Sequence, residues 1–508
     1  MKTRWMHWIV LTALLVSTGC QLFTPATSTP QPTFSGEATL EPARPTQAWT
    51  PFPVGTLRPT PEPPAPEDVL SCVSTQDLNP SPDGLGDPYY PKLGNGGYDV
   101  RHYNLETGVD LQSNLLDASA TLEATANQSL RSFTLDFLGY AIQQIRVDGQ
   151  PANYTRQGSE LTVTPASALQ SGQAFTVAVE YSGEPTNVQE QGMRLGWNRY
   201  PNGVYVASEP SGSSTWYPSN DHPCDKATYH FAITVPEPYM VAANGTLTGT
   251  RDNGSTTTFT WEENYPMASY LVTVNIARFV RQEQPGPDGV LVRNYFDQVI
   301  ADDVDQVFRR QPEMIAFYNS IYGPYPFDAY GVVVVQASFG FALETQTLSL
   351  FSSTGLSRED RENEQVVAHE LAHQWFGNSV SLTRWKDIWL NEGFATYSQW
   401  LWLEHDRGPQ ALDEQADGWY ETLARSEHPP AGDPTNRDLF NMSVYFRGAL
   451  TLHALRLRMG DEAFFDLMRS YADRYRYGNA TTEDFIALAE EKSGESLGSF
   501  FQSWLYEE

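Results

Sequence analysis

One stretch constrains this chain more than any other: Val366-Val367-Ala368-His369-Glu370-Leu371-Ala372-His373-Gln374-Trp375-Phe376-Gly377. Read as a helix, it sets His369 and His373 at i and i+4, stacked on one face. Two imidazoles so placed can share one ion, with Glu370 reaching over the open side of the metal as a general base. Glu392, nineteen residues after His373 in Asn391-Glu392-Gly393, is expected to add a third ligand from a following helix. Two histidines and a glutamate leave the fourth tetrahedral position for water, the arrangement of a catalytic zinc rather than a closed structural one. The competing reading is an amphipathic helix with two satisfied histidines. Val366, Leu371 and Trp375 weigh against it, because they can form a core face without using the histidine side. One Zn²⁺ per chain is expected.

At 508 residues the chain has room for two or three domains. Its 62 acidic against 32 basic side chains, a net charge of −30, leave too little basic surface for a nucleic-acid partner. Met1-Lys2-Thr3-Arg4 reads as a positive n-region, and Trp5 to Val16 as an apolar segment too short to span a bilayer. Ser17-Thr18-Gly19-Cys20 resembles a bacterial lipoprotein cleavage box, with Ser17 where a leucine is usual. Residues 1–20 are thus expected to be a signal peptide, with Cys20 as the lipidated first mature residue of an extracytoplasmic, cell-surface protein. Simple secretion is the alternative. Cys72 and Cys224 remain as an even pair in an oxidising compartment, and a disulfide between them is expected.

Twelve of the 35 prolines fall between Pro25 and Pro66. Residues 21–84 therefore read as an extended tether that buries too little apolar surface to fold. From 85 to 283 the hydrophobic period is mostly two, as in Glu160–Thr164, Phe175–Tyr181 and Tyr270–Ile276, with Gly, Pro and Asn turns between. That pattern predicts an antiparallel β domain of sandwich or saddle type. After Gln284-Pro285-Gly286 the texture becomes helical. Helices are expected over Ala301–Tyr318, Glu364–Phe376, Asn391–Glu404 and Val444–Met459, with a buried strand at Gly331–Val335. Residues 284–508 therefore form a second, α+β domain, mainly helical.

His369-Glu370-Leu371-Ala372-His373 with Glu392 resembles the gluzincin arrangement of the M1 aminopeptidase family, relatives of aminopeptidase N and leukotriene A4 hydrolase. Further blocks share the likeness: Asp87-Pro88-Tyr89-Tyr90-Pro91, Ser208-Glu209-Pro210, Asn220-Asp221-His222-Pro223 and Trp385-Lys386-Asp387-Ile388-Trp389-Leu390-Asn391-Glu392-Gly393. The resemblance spans about 87–508 and implies a thermolysin-like catalytic domain. It also implies a short form that lacks the helical-repeat domain of larger members, with a less enclosed active site.

The family's Gly-x-Met-Glu-Asn strand corresponds to Phe341-Ala342-Leu343-Glu344-Thr345. By that likeness Glu344 would hold the substrate's α-ammonium, and the backbone of Phe341 and Ala342 would pair with the substrate chain. Glu209 matches a second amine-binding carboxylate from the β domain. Val444-Tyr445-Phe446-Arg447-Gly448 resembles the family's Tyr-x-Lys-Gly block, so the Tyr445 hydroxyl would stabilise an oxyanion, with Arg447 in place of lysine. The resemblance implies a zinc aminopeptidase acting on peptides with a free N-terminus, with Glu370 as the general base; the sequence leaves the oligomeric state open, with a monomer favoured. Three other readings share the zinc pattern: a thermolysin-like endopeptidase, an epoxide-hydrolase-type relative, and a non-catalytic, zinc-stabilised surface lipoprotein. Asp387 and Glu364 are near enough in sequence to support the ligands from behind. His405, His428 and His453 have no partners at ligand spacing.

Overall fold

The structure, a computed structural model, describes residues 84–354, 356 and 362–507. The expected signal peptide, the tether up to residue 83 and Cys72 lie outside the described residues. Cys224 is disulfide-bonded. No described helix is long and apolar enough to cross a membrane.

Period-two patterning builds the first domain. In Leu115–Ala126 the residues Leu116, Ala118, Ala120, Leu122 and Ala124 turn inward while their neighbours face out. This strand pairs with Tyr98–Asp110 near the middle of an eight-stranded sheet. One pairing departs from the antiparallel expectation: Tyr98–Asp110 and Ala227–Pro236 run parallel, from His102 opposite Thr228 to Gly108 opposite Thr234. More than a hundred residues separate those strands, so the chain path sets their direction, and alternation does not encode it. A second sheet of five strands contains Gly203–Ala207, buried throughout, which runs directly into Ser208 and Glu209. The stretch read as a strand over Tyr270–Ile276 is instead a 3-10 turn, Ser269–Leu271, followed by strand Val274–Ala277.

The second domain begins earlier than its composition suggests. Strand Phe279–Pro285 pairs with Leu291–Asp297 in a five-stranded sheet, so Pro285-Gly286 is a hairpin turn rather than a domain junction. The boundary drawn between 283 and 284 therefore falls inside a strand. The wholly buried Ala329–Val335 lies at the centre of this sheet, and the two-residue strand Ala342–Leu343 is at its edge. The helix expected over Ala301–Tyr318 is broken into Ala301–Val304, a 3-10 turn at Asp305–Phe308, and Gln311–Tyr322. Pro312, in the first turn of the last piece, has no N–H to continue a helix from upstream.

Helix Trp389–Arg407 runs through the interior of this domain, buried on nearly every side. Helix Glu362–Ala372 packs on it, and so does the segment that ends in helix Gly448–Met459. At the second crossing the backbones touch. A Cβ on Gly393 would stand 2.9 Å from Gly448 Cα, and one on Gly448 would stand 2.9 Å from Gly393 Cα. The turn before Gly448, Ser443–Arg447, is a π-helix and not the α-helix expected there. Arg447 donates from Nε to the Trp504 carbonyl (2.7 Å) and from Nη2 to that of Ser503 (3.0 Å).

The two domains are joined by a buried cation. Lys226 Nζ, from the β domain, donates to the carbonyls of Asn378 (2.8 Å), Ser379 (3.1 Å) and Gly478 (3.3 Å). Burial pushes this ammonium down to about 7. Between that value and the ordinary lysine value near 10.4, the unfolded chain binds a proton that the folded chain does not. Stability must therefore rise with pH across that window. Urea unfolding at pH 7 and pH 9.5 should show the parent gaining on Lys226→Met as pH rises. A constant difference between the two proteins would contradict the buried-cation account.

Candidate active site

Helix Glu362–Ala372 carries His369, and His373 follows just past its end, its N–H still bonded to the His369 carbonyl at 3.2 Å. Glu392 lies in the first turn of Trp389–Arg407. The expected convergence is present: Glu392 Oε2 is 3.2 Å from His369 Nε2 and 3.5 Å from His373 Nε2. One donor atom from each of the three residues lies within 4.8 Å of the other two. His373 Nδ1 is 3.1 Å from the Phe376 carbonyl, which can only accept, so Nδ1 carries a proton and Nε2 is the nitrogen that faces the cluster. The helix ends through Gly377 at φ +127, where a Cβ would come within 3.2 Å of His373 Nδ1. Two imidazole nitrogens and one carboxylate oxygen, aimed at one point, fit a zinc site with an open position.

Glu370 is buried beside them, with Glu344, Glu370 and His373 forming a second group within 4.8 Å. Glu209, Glu344 and Glu392 form a third group at the same spacing. Glu209 arrives from the buried strand of the β domain and Glu344 from the end of the edge strand, so residues 135 positions apart in sequence face each other. Glu209 Oε1 and Glu344 Oε1 are buried and have no hydrogen-bond partner. Such orphaned oxygens mark a place built for a donor that arrives from outside.

Four carboxylates share this pocket, and among the described residues none is ion-paired to a lysine or arginine. Burial raises Glu370 and Glu209 well above the usual carboxylate range, with neighbouring glutamates adding to the effect. Burial also lifts Glu344 to about 7, with His373 partly opposing it. Burial alone would lower His373, but Glu344, Glu392 and Glu370 outweigh it and raise it to about 10. Burial would raise Glu392, but the two histidines bring it down to about 2. Burial leads the rise of the three glutamates, the crowd of carboxylates outweighs it at His373, and the two histidines outweigh it at Glu392.

Tyr445, half-buried in the π-turn, lies over the His369 ring at 6.0 Å with an 18° tilt between planes. Burial raises its phenol well above 10, with Glu392, Glu209, Glu344 and Glu370 adding to this, so it is a neutral donor. Ala342 and Leu343 pair with Phe351 and Leu350 on one side only, which leaves the other edge open beside Glu344. Phe341 packs on Phe339, ring centres 4.7 Å apart.

The supporting partners are not those nearest in sequence. Glu364 pairs with Arg310 at 2.8 Å, and Asp387 binds Arg384 and Thr482 at 2.7 Å each. Besides Glu392, Gln399 also favours the charged form of His369. Gln399 is seven residues after Glu392, two turns along the same helix face, so its spacing was a usable signal. Tyr270, misread as strand, donates to the Gly377 carbonyl (3.3 Å) and accepts from Asn391 Nδ2 (3.2 Å), bridging both ligand segments. His405 stacks on Phe317, His453 lies 3.4 Å from the Tyr397 hydroxyl, and His428 bonds Ser426; none approaches the cluster.

Known proteins share this architecture. The sequence profile of the Peptidase M1 N-terminal domain matches residues 100–271, and that of the Peptidase family M1 domain matches 307–504. The structure is similar to an M1 zinc metallopeptidase from Deinococcus radiodurans, at 30% identity and a TM-score of 0.77, over 83% of this chain and 97% of that one. A variant of that enzyme bound to a Tyr-Ser-Ala substrate matches with a TM-score of 0.78, over 84% and 98%. Aminopeptidase M1 of Arabidopsis thaliana is 29% identical over 58% of this chain. That match spans 36% of the plant protein, so the chain covers about a third of its length. Leukotriene A-4 hydrolase of Xenopus laevis is 24% identical over 76% of this chain and 67% of its own. With both domain profiles in order and a two-domain relative covered almost end to end, the chain belongs to peptidase family M1.

Proposed function

We propose that the protein is a zinc-dependent aminopeptidase that removes residues from the free N-terminus of peptides. One observation carries this reading: two buried carboxylates with unpartnered oxygens, Glu344 and Glu209, stand beside the His369, His373 and Glu392 donor set. His369 and His373, through Nε2, and the Glu392 carboxylate would hold the zinc. Bound there, zinc supplies Lewis acidity toward a carbonyl oxygen and toward water. Glu370, its affinity for protons raised by burial, takes a proton from the attacking water and delivers it to the leaving amine. Tyr445 donates its hydroxyl to the oxygen that gains charge. Glu344 and Glu209 hold the ammonium, which brings the first peptide bond to the metal ligands, while the open edge at Phe341 and Ala342 receives the substrate backbone. An endopeptidase would have no use for two unpartnered carboxylates at one end of the cleft.

The residues before the fold support an extracytoplasmic location with a lipid anchor at Cys20, through the basic n-region, short apolar segment and Cys20 box. Secretion without the anchor is distinguished by the mass of the mature N-terminus.

Replacing Glu370 with Gln should abolish hydrolysis of aminoacyl anilides while one zinc per chain is retained; turnover near the parent rate would refute the base assignment. The parent should cleave a free-amine anilide and spare its N-acetylated form, and equal rates on both would refute the aminopeptidase reading. Tyr445→Phe should lower kcat by roughly 10²- to 10³-fold, the loss typical of one oxyanion donor. Gly448→Ala, which drives a methyl against Gly393, should lower kcat at least about tenfold by shifting Tyr445, since ångström misplacements cost that much or more. An unchanged kcat in Gly448→Ala would mean that the crossing does not govern the tyrosine.

A further inference from the structure

Glu344 begins where its strand stops. The edge strand ends at Leu343, so no sheet bond holds the peptide that carries the carboxylate. Two side-chain amides do so instead. The Glu344 carbonyl accepts from Asn378 Nδ2 at 2.7 Å and from Gln374 Nε2 at 3.2 Å. Gln374 Oε1 in turn accepts from Thr347 N at 2.8 Å. A single carboxamide therefore grips both ends of the Glu344–Thr347 turn. Its orientation is fixed by its partners, because Thr347 N–H can only donate and the Glu344 carbonyl can only accept.

The turn it grips is not relaxed by itself. Thr347 sits at φ +62, a conformation that disfavours a β-branched residue. Arg293 Nη1 holds its carbonyl at 2.9 Å, and Gly245 N–H donates to its hydroxyl at 2.7 Å. Asn244 Nδ2 secures the Gln346 carbonyl from the β-domain side at 2.7 Å. Gln374 and Asn378 are fully buried, and both belong to the ligand segment: Gln374 follows His373, and Asn378 N–H donates to the His373 carbonyl at 3.0 Å.

We propose that Gln374 and Asn378 are positioning residues that set how far the carboxylate of Glu344 stands from the metal-ligand histidines. The proposal rests on the aminopeptidase reading above. In an α-amino acyl group the distance from ammonium to scissile carbonyl is constant. The enzyme must therefore hold its amine anchor at one matching distance, and a loosened anchor loses the reacting geometry. Neutral amides suit the task, since they donate and accept without adding charge to an already acidic pocket.

The test uses the full chain with zinc bound and the variants Gln374→Met, Gln374→Glu and Asn378→Ser. Zinc per chain and melting temperature are measured beside kcat and KM for leucine p-nitroanilide. The deciding readout is the inhibition constant of isobutylamine, which offers an ammonium and no carbonyl for the metal site. With zinc retained, that constant and KM should rise about tenfold, the worth of one lost buried hydrogen bond. Gln374→Glu keeps the acceptor for Thr347 but sets oxygen against the Glu344 carbonyl, so it should weaken amine binding at least as much. It serves the same measurement if Gln374→Met does not fold. Amine inhibition within twofold of the parent overturns the proposal, whatever happens to kcat or melting. A rise seen only when zinc is lost overturns it as well. Failure of the aminopeptidase reading looks different: Glu344→Ala would leave amine inhibition unchanged, and the parent would not distinguish free from acetylated substrate.

Discussion

Four carboxylates gathered out of water, with two histidines and, among the described residues, no lysine or arginine set against them, are the constraint to which the rest of this molecule answers. Burying one unpaired carboxylate is costly, and four together add mutual repulsion. On the proposed function, the pocket would receive positive charge of two kinds. The imidazole nitrogens beside Glu392 suit a divalent ion, and the unpartnered oxygens of Glu209 and Glu344 suit an ammonium. On the proposed function, metal and substrate would complete an electrostatic balance that the polypeptide leaves open. The raised proton affinity of Glu370 comes first from burial, with Glu344 and Glu392 adding to it, and suits a group that takes up a proton.

That pocket also explains why two domains must behave as one. Glu209 comes from the β domain and the other three glutamates from the catalytic domain, so relative motion would spoil the proposed ammonium site. The junction is held by directional polar contacts: Lys226 on three carbonyls, Asn244 on the anchor turn, and Tyr270 across both ligand segments. Buried polar contacts of this sort define a unique geometry where apolar surfaces alone would permit sliding.

Legibility from sequence followed the range of the interactions. His369, Glu370 and His373 could be read because a helix turns their spacing into a shared face, and Glu392 because it opens the next helix. Glu344, Glu209 and Tyr445 come from distant elements, and only likeness to a family drew them together. What stayed hidden was set by backbone or chain path. The Phe376 carbonyl behind His373 has no side-chain signature, the parallel pairing of Tyr98–Asp110 leaves the alternation unchanged, and the π-turn at Ser443–Arg447 looks helical in periodicity. The boundary near 283 was misplaced because a Pro-Gly hairpin turn has the same composition as a linker.

The contact between Gly393 and Gly448 carries a consequence for how this site tolerates change. One glycine follows the third ligand, and the other lies three residues beyond Tyr445, so the tyrosine-to-ligand spacing is gauged by main chain against main chain. A gauge of that kind has no rotamers to repopulate on warming and no side-chain volume to drift by substitution. The spacing holds only as long as those two positions keep no side chain at all.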